Sequence, residues 1–493
     1  MDKRRIFIAV ASAWLAGCSF APTYHVPSTP IPTAYKETGG WQIAQPADRI
    51  ERDGWWKVYR DPELNRLEPL VATANPDVQA AIARHDDAMA YERQAESGLY
   101  PTLGAGAEVS RNGQSEQSPL RSGAVQPSSY GANVADLVFN YDLDLWGSVR
   151  NTVAASKAQS EAAANDLASL RLSLQANLAE AYWQLRGLDE QAQVLADTVD
   201  TYQRALELTT NRRDGGIASD LDVSRAQTQL AGAKAQVEDV KARRALEEHA
   251  IAALTGTAPS TFSLAQDIAL PYIPSVPAGM PGTLLERRPD VAAAERRVAA
   301  ANAKIGVARA AYFPDISLGI AGGFESDKIS PWFAGPEEMW SLGPTLAQTL
   351  FDGGLRRAKT AEARAQLAQY SADYRSAVIK AIQQVEDNLA LEHHLGDEAT
   401  RQDEALDAAK RTLDLSMSQY RDGVVSYLDV VTAQTTELQT QLVTLSLQTR
   451  RLVATVGLIE ALGGGWNVPN RVANTSPQKR SLRASTDTAS CCR

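Results

Sequence analysis

The chain has 493 residues, enough for two to four ordinary domains, and 44% of them are hydrophobic, which excludes global disorder. Its net charge of −10 argues against a nucleic-acid partner, because phosphate binding needs a basic face. With five histidines and three cysteines there is little from which to build a Cys/His metal cluster, and the sequence holds neither a Gly-rich phosphate loop nor a Gly-x-Ser-x-Gly element. His393 and His394 are adjacent on a predicted helix and point about 100° apart, so they do not share a metal. Neither an enzyme nor a metal or cofactor site is expected.

The N-terminus reads as a leader over residues 1–17. Lys3, Arg4 and Arg5 form a positive start, Ile6 to Trp14 a short apolar core, and Leu15-Ala16-Gly17-Cys18 resembles the lipobox of bacterial lipoproteins. Cleavage would leave Cys18 as a lipidated N-terminus, held by many buried methylenes at about 0.8 kcal/mol each. The alternative is an ordinary signal peptide with a chance cysteine. In the lipoprotein pattern that this start resembles, an aspartate after the cysteine favours the inner membrane, so the resemblance implies the outer membrane for Ser19. Residues 18–61 begin as a proline-rich extended tether (Pro22, Pro27, Pro30, Pro32). Cys491 and Cys492 lie in a polar tail, 466–493, expected to be disordered.

A short helix is predicted over 62–74, and Asn75-Pro76-Asp77 opens another that runs to about Ser97, with proline at its first position and an early aspartate. The period then changes to two. Leu103, Ala105, Ala107 and Val109 alternate with polar or small residues in 102–110, and Leu137, Phe139, Tyr141, Leu143 and Leu145 alternate in 136–145. Each run has the ~10 residues a tilted strand needs to cross an outer membrane. Asp136, Asp142 and Asp144 fall on the polar side, which in a barrel is the lumen and would be mildly cation-favouring. Trp146 sits where an interfacial aromatic belongs. The stretch 111–129 reads as a solvated loop.

A long proline-free run follows Trp146-Gly147-Ser148, breaks at Arg213-Asp214-Gly215-Gly216, and resumes at Leu221-Asp222-Val223. Helix formers dominate it, and charges at Arg171, Glu180, Arg186 and Asp189 exclude a membrane span. A first arm of about 90 Å (150 to 210, at ~1.5 Å per residue) paired with a return arm is a helical hairpin of coiled-coil type.

The chain then repeats itself. After a proline-rich connector, 257–288, Arg288-Pro289-Asp290 opens an equivalent helix. Ile316, Leu318 and Ile320, then Trp340, Leu342, Leu346 and Leu350, alternate as strands with a loop over 325–337, although Pro344 is awkward in a ladder. A second hairpin breaks at Arg421-Asp422-Gly423 and resumes at Leu428-Asp429-Val430. Arg213-Asp214-Gly215 and Arg421-Asp422-Gly423 are offset by 208, the two Leu-Asp-Val turns and Ala-Gln pairs by 207, and the preceding helices by 213. A near-constant offset across unrelated anchors is an internal duplication. The expected units are 62–256 (strand pair about 102–145, hairpin about 148–255) and 289–465 (strand pair about 316–350, hairpin about 354–462). Four strands leave two open edges, which hydrocarbon does not tolerate, so several chains must pool them.

The ordered set resembles the outer-membrane factor family, the TolC-like efflux channels, and the lipoprotein start resembles their NodT-type branch. The likeness covers roughly residues 15–465. It implies a mixed α and β membrane protein: a homotrimer whose pooled strands make a twelve-stranded barrel above a long tunnel of helical hairpins. It further implies docking to a periplasmic adaptor and an inner-membrane pump, with drugs or other small solutes leaving passively through the outer membrane. The turns carrying Arg213, Asp214, Tyr420, Arg421 and Asp422 would be the periplasmic tip, and Asp429 would fall on an acidic constriction ring. Where some members carry a second aspartate, this chain has Thr432. Asp222 is the matching position in the first copy, and for both aspartates the alternative is a residue favoured by the helix macrodipole. Competing readings are a periplasmic coiled-coil adaptor or structural lipoprotein, which leaves the strands and the duplication unexplained, and a type I protein-secretion channel.

Overall fold

The computed structural model describes residues 19–29, 32, 34–37, 54–113, 115, 129–268, 272–274, 276, 287–330 and 332–464. Cys18, Cys491, Cys492, the leader, the tail and much of the connector lie outside them. In chain order the elements are α1 (Pro62–Ala74), α2 (Pro76–Ser97), β1 (Thr102–Gly113), β2 (Ser129–Asp142), α3 (Ser148–Asp214), α4 (Asp220–Leu254), α5 (Pro289–Ala310), β3 (Asp315–Ser326), β4 (Glu338–Ala347), α6 (Leu355–Arg421) and α7 (Tyr427–Ala461).

The duplication holds residue for residue in the helices. α2 and α5 have 22 residues each, α3 and α6 have 67, and α4 and α7 have 35. At ~1.5 Å per residue the long helices span about 100 Å, twice the reach of their return arms. The uncovered half of α3 therefore packs on α2 and α5 instead, and α5 also packs on α6. α7 lies against α6 and α3 and joins the two hairpins. By length and composition α7 is apolar enough to cross a membrane, but much of its apolar face is spent in these contacts.

Caps fix where the helices start. Asp61 accepts from the Leu64 N–H at 2.8 Å ahead of Pro62, and Asn75 accepts from the Asp77 and Val78 N–H groups ahead of Pro76. Asn75 also donates to the Leu254 carbonyl at 2.9 Å, which ties the start of α2 to the end of α4. Gly256 closes that turn at φ +69, where a Cβ would lie 2.3 Å from the Ala74 oxygen. Gly187 serves a different purpose: its missing side chain lets α3 approach α7 at Thr449, whose Oγ1 would be 2.1 Å from a Cβ.

The main core is a belt around the middle of the long helices. Residues 55–59 form a 3-10 turn that buries Trp55, Trp56 and Tyr59 against α3 and α7. Tyr59 donates to or accepts from Thr455 at 2.8 Å and packs on the fully buried Trp183 at 5.2 Å between ring centres. Removing such an aromatic costs about 3–5 kcal/mol. A buried polar knot fastens the connector here. Asp189 accepts from Arg186 at 3.0 Å and Arg244 at 2.6 Å, and the two arginines donate on to the carbonyls of Ala265 and Leu264.

The strands form one antiparallel sheet in the order β1-β2-β3-β4. They differ from the sequence reading in their limits. β1 runs on to Gly113, β2 occupies 129–142 rather than 136–145, with one further bond from the Leu143 N–H to the Ile316 carbonyl at 2.8 Å, and β4 ends at Ala347, so Leu145, Trp146 and Leu350 are outside the ladder. Period-two alternation continues past β2 in the sequence, but the residues after Asp142 are claimed by the start of α3. Pro344 pairs with Leu318 in β4, an edge strand of the sheet, where proline is tolerated.

Candidate functional site

Pairing in the sheet puts directly opposed residues on the same face. The register sets Leu103 beside Phe139, Phe139 beside Ile320, and Ile320 beside Leu342; one step along, Leu137 faces Gly322 and Gly322 faces Trp340. One face is thus apolar across all four strands, and Leu103, Leu137, Ile320, Trp340, Leu342 and Leu346 on it are exposed. A soluble monomer rarely presents so wide an apolar surface. The other face carries Asp136, between Gly106 and Gly323, and Asp142 beside Ser317, together with Glu108 and Glu325. Gly106 leaves room for Asp136, whose Oδ1 would sit 2.5 Å from a Cβ there.

Asp144 is not on that face. It stands beyond β2 and caps α3, accepting from the Val149 and Arg150 N–H groups at 3.1 and 2.9 Å and from the Arg150 guanidinium at 3.1 Å. Burial works against its charge, but these hydrogen bonds outweigh it and hold the carboxyl below its ordinary range. Asp352 does the same for α6. The Arg356 side chain at 2.6 Å, then the Arg356 and Gly354 N–H groups, bring Asp352 down to about 2. Trp146 is likewise no lipid-facing girdle residue. It stacks on Phe313 at 4.8 Å and donates to the Pro314 carbonyl, while Phe20 stacks on Phe313 at 4.5 Å. Residues 19–24 run from this aromatic stack down α5. Arg309 donates to the Phe20 carbonyl, Asn302 to that of Pro22, and Tyr24 to Glu295.

At the far end the two hairpin turns come together. Arg213 pairs with Asp214 at 2.6 Å and reaches Asp220 at 3.6 Å, all at the surface. Asp222 and Asp429 close equivalent capping boxes. Asp222 accepts from the Ser219 N–H at 3.2 Å and hydroxyl at 2.8 Å, Asp429 from those of Ser426 at 3.0 and 2.7 Å. Asp222 also meets Arg225 at 3.4 Å, whereas Asp429 is exposed. Asp422 and Arg421 are exposed at the end of α6. Tyr420 is buried and packs on Tyr427, with ring centres 5.3 Å apart. Burial raises Tyr427 to about 12 despite a hydrogen bond with Thr209.

The residue that joins the turns is Arg212. Its guanidinium lies 4.6 Å from the Tyr420 ring centre and donates to the Tyr420 carbonyl at 3.0 Å and the Arg421 carbonyl at 3.4 Å. A cation at a helix C-terminus and over an aromatic face is favoured on both counts. Further up, Gln229 of α4 donates to Thr435 of α7 at 3.0 Å, a second tie between hairpins.

The sequence matches the outer membrane efflux protein family over residues 69–257 and 280–464. The chain belongs to the outer membrane efflux protein family. It is 29% identical over 476 residues to the toluene efflux pump outer membrane protein TtgC of Pseudomonas putida, a match covering 96% of this chain and 98% of the relative. It is 30% identical to the solvent efflux pump outer membrane protein SrpC of Pseudomonas putida, covering 92% and 97%. The solved outer-membrane channel OprN superposes with a TM-score of 0.84 at 30% identity, covering 91% of this chain and all of that one.

The chain is therefore an outer-membrane efflux channel with the mixed helical-tunnel and strand architecture of its relatives, a transport channel rather than an enzyme. Members of the family act in tripartite systems with an adaptor and an inner-membrane pump. Against that background the sequence reading of the efflux channel missed three groups. Glu108 and Glu325 were legible as further acidic positions in the strand alternation. Arg212 was not, because its partners are backbone carbonyls of a turn about 200 residues away.

Proposed function

We propose that three copies of this chain pool their sheets into one twelve-stranded barrel, with the hairpins hanging below it as a tunnel through the periplasm. The observation that carries this reading is the four-stranded sheet with one apolar face and two unpaired edges, β1 and β4. Only closure removes such edges in hydrocarbon, and single-chain barrels begin at about eight strands. The helices support the same assembly. α5 is held between α3 and α6, whereas its counterpart α2 packs on α3 with no comparable packing on α6 among the described residues, so a neighbour's α6 is the surface that completes the repeat.

The turn region is the periplasmic aperture in this reading. Arg212, Tyr420 and Tyr427 hold the hairpins together, and three copies of the exposed Asp429, with Asp222 further back, line the constriction. Asp136, Asp142, Glu108 and Glu325 make the barrel lumen acidic. Cys18 carries the lipid anchor, a proposal supported by the neighbouring Ser19 and Phe20, which are fixed at the junction of sheet and helices by Asn151 at 3.0 Å and by the stack on Phe313. An adaptor and pump load the tunnel, and small solutes, drugs among them, leave through it.

Three measurements test this. Purified protein reconstituted in planar bilayers conducts and prefers cations, and Asp136→Asn with Asp142→Asn reduces that preference. Cross-linking in outer-membrane vesicles yields a trimer, and deletion sensitises the host to dyes and detergents. A monomer that stays soluble without detergent ends the proposal.

A further inference from the structure

The middle of the hairpins holds a groove of about 490 Å³ between α3, α4, α6 and α7, the size that suits a drug-like molecule (roughly 300–1,000 Å³). Its orientation follows from helix geometry. On three helices a contact with the wrapping segments marks one side: Asp189 accepts from the Asp267 N–H, Glu386 from the Lys36 and Glu37 N–H groups, and Thr455 meets Tyr59. The groove is lined by Glu180, Leu395 and Ser446, each nine residues from one of those contacts. Nine residues at ~100° each make two and a half turns, so all three lie on the opposite side. In the proposed tunnel the wrapping segments take the outer side, so the groove faces the bore.

The groove is built like a binding site. Leu188, Leu246, Leu391 and Val453 give it an apolar wall, and Leu246 and Leu391 are exposed although they have no lipid to face. Four charged groups line it. The two arginines are already engaged with carboxylates elsewhere, Arg243 with Asp239 at 2.8 Å and Arg450 with Glu398 at 3.8 Å. Glu180 and Glu247 have no ion pair among the described residues, and the charge that acts on Glu180 is that of another carboxylate, Glu460. We propose that this groove is a bore-facing site for lipophilic organic cations, which place their apolar body on the leucines and their charge between Glu180 and Glu247. Burial, and for Glu180 also Glu460, raises the pKa of both carboxyls, Glu180 to about 7, and a cation in the groove relieves that cost. The proposal rests on the tunnel reading and adds to it that the bore is not inert.

The test uses the full-length protein in lipid nanodiscs, titrated with tetraphenylphosphonium and with tetraphenylborate, which have the same shape and opposite charge; empty nanodiscs give the blank. Saturable binding of the cation at least tenfold tighter than the anion is expected. Glu180→Gln with Glu247→Gln should abolish the preference, and Leu246→Ser with Leu391→Ser should weaken both ions. Equal binding of the two ions, no saturable binding, or indifference to the Glu180 and Glu247 substitutions overturns the site. Single-channel recording on the same preparation separates the two levels. A conducting pore without cation binding removes only this inference, whereas no pore removes the tunnel reading with it.

Discussion

The two repeats match in the length of every long helix and differ in what covers them. In α5, Ala293 and Ala303 are buried; their counterparts in α2, Ala80 and Ala90, are exposed. In the first hairpin α3 buries a long series of side chains, while the equal-length α6 buries fewer. Small residues kept at a helix surface where nothing touches them are packing positions without their partner. On the trimer proposal, the difference marks the surface through which one copy meets the next. A second difference is polar. The knot of Arg186, Asp189 and Arg244 in the first repeat stands at positions occupied by His393, Gly396 and Arg451 in the second. The connector leaves only from the first repeat, and only there is a clamp needed.

The largest effect expected from this comparison is at the uncovered face of α2. Ala80→Asp or Ala90→Glu would bury an unpaired charge at the subunit contact, a cost of several kcal/mol, and should abolish the trimer in cross-linked outer membranes. The same preparation should retain helical content, which separates lost assembly from lost folding. Next is Asp189→Ala, which strands the buried Arg186, leaves the half-buried Arg244 with only Glu248 for an ion pair, and should cost about 3 kcal/mol in thermal unfolding. Gly396→Asp at the matching place of the second repeat should give no compensating gain.

Much of the architecture could be read from the chain because its signals are local. Proline after an N-cap marks the starts of α1, α2 and α5, alternation marks the sheet face, and two Leu-Asp-Val turns at a fixed offset mark the duplication. The limits of β2 were not legible, since alternation through Leu143, Asp144 and Leu145 looks the same whether Asp144 points into a pore or caps α3. What decided it was Arg150, six residues on. The tip was half legible: its turns are local, but the tie between them is made by Arg212 to carbonyls in the other repeat. Bore and outer wall could not be told apart in the sequence, because that depends on contacts such as those of Lys36, Glu37 and Tyr59 with the long helices.

Smaller effects sharpen the comparison. Glu392 in α6 occupies the place of the fully buried Leu185 in α3. Burial raises Glu392 to about 7 from the ordinary 4.5, against a lowering by Arg451. The folded state holds this proton more tightly than the unfolded one, so its contribution to stability is complete below pH 4.5 and is lost as pH rises towards 7. Glu392→Leu should thus stabilise the protein at neutral pH by about 1–2 kcal/mol, allowing for partial solvent access, and leave acid stability unchanged. Melting curves at pH 4.5 and 7.5 read this difference directly. At the tip, Arg212→Ala should remove about 1–2 kcal/mol of hairpin-to-hairpin attraction and raise bilayer conductance several-fold, while Arg213→Ala and Arg421→Ala should change it little.

The smallest predicted effect is the most direct check that the second hairpin carries no clamp. Gly396 sits inside α6 with nothing within 4 Å of where a Cβ would be. A glycine in a helix interior costs about 0.5–1 kcal/mol relative to alanine, so Gly396→Ala should stabilise by that amount with no change in conductance. Its counterpart in register is Asp189, and the same change to alanine there should be destabilising by several times as much. One substitution, made at two equivalent points of a duplicated fold, should therefore move the melting temperature in opposite directions. If both move the same way, equal helix lengths do not signify equivalent positions, and the assignment of the uncovered faces to neighbouring copies loses its basis.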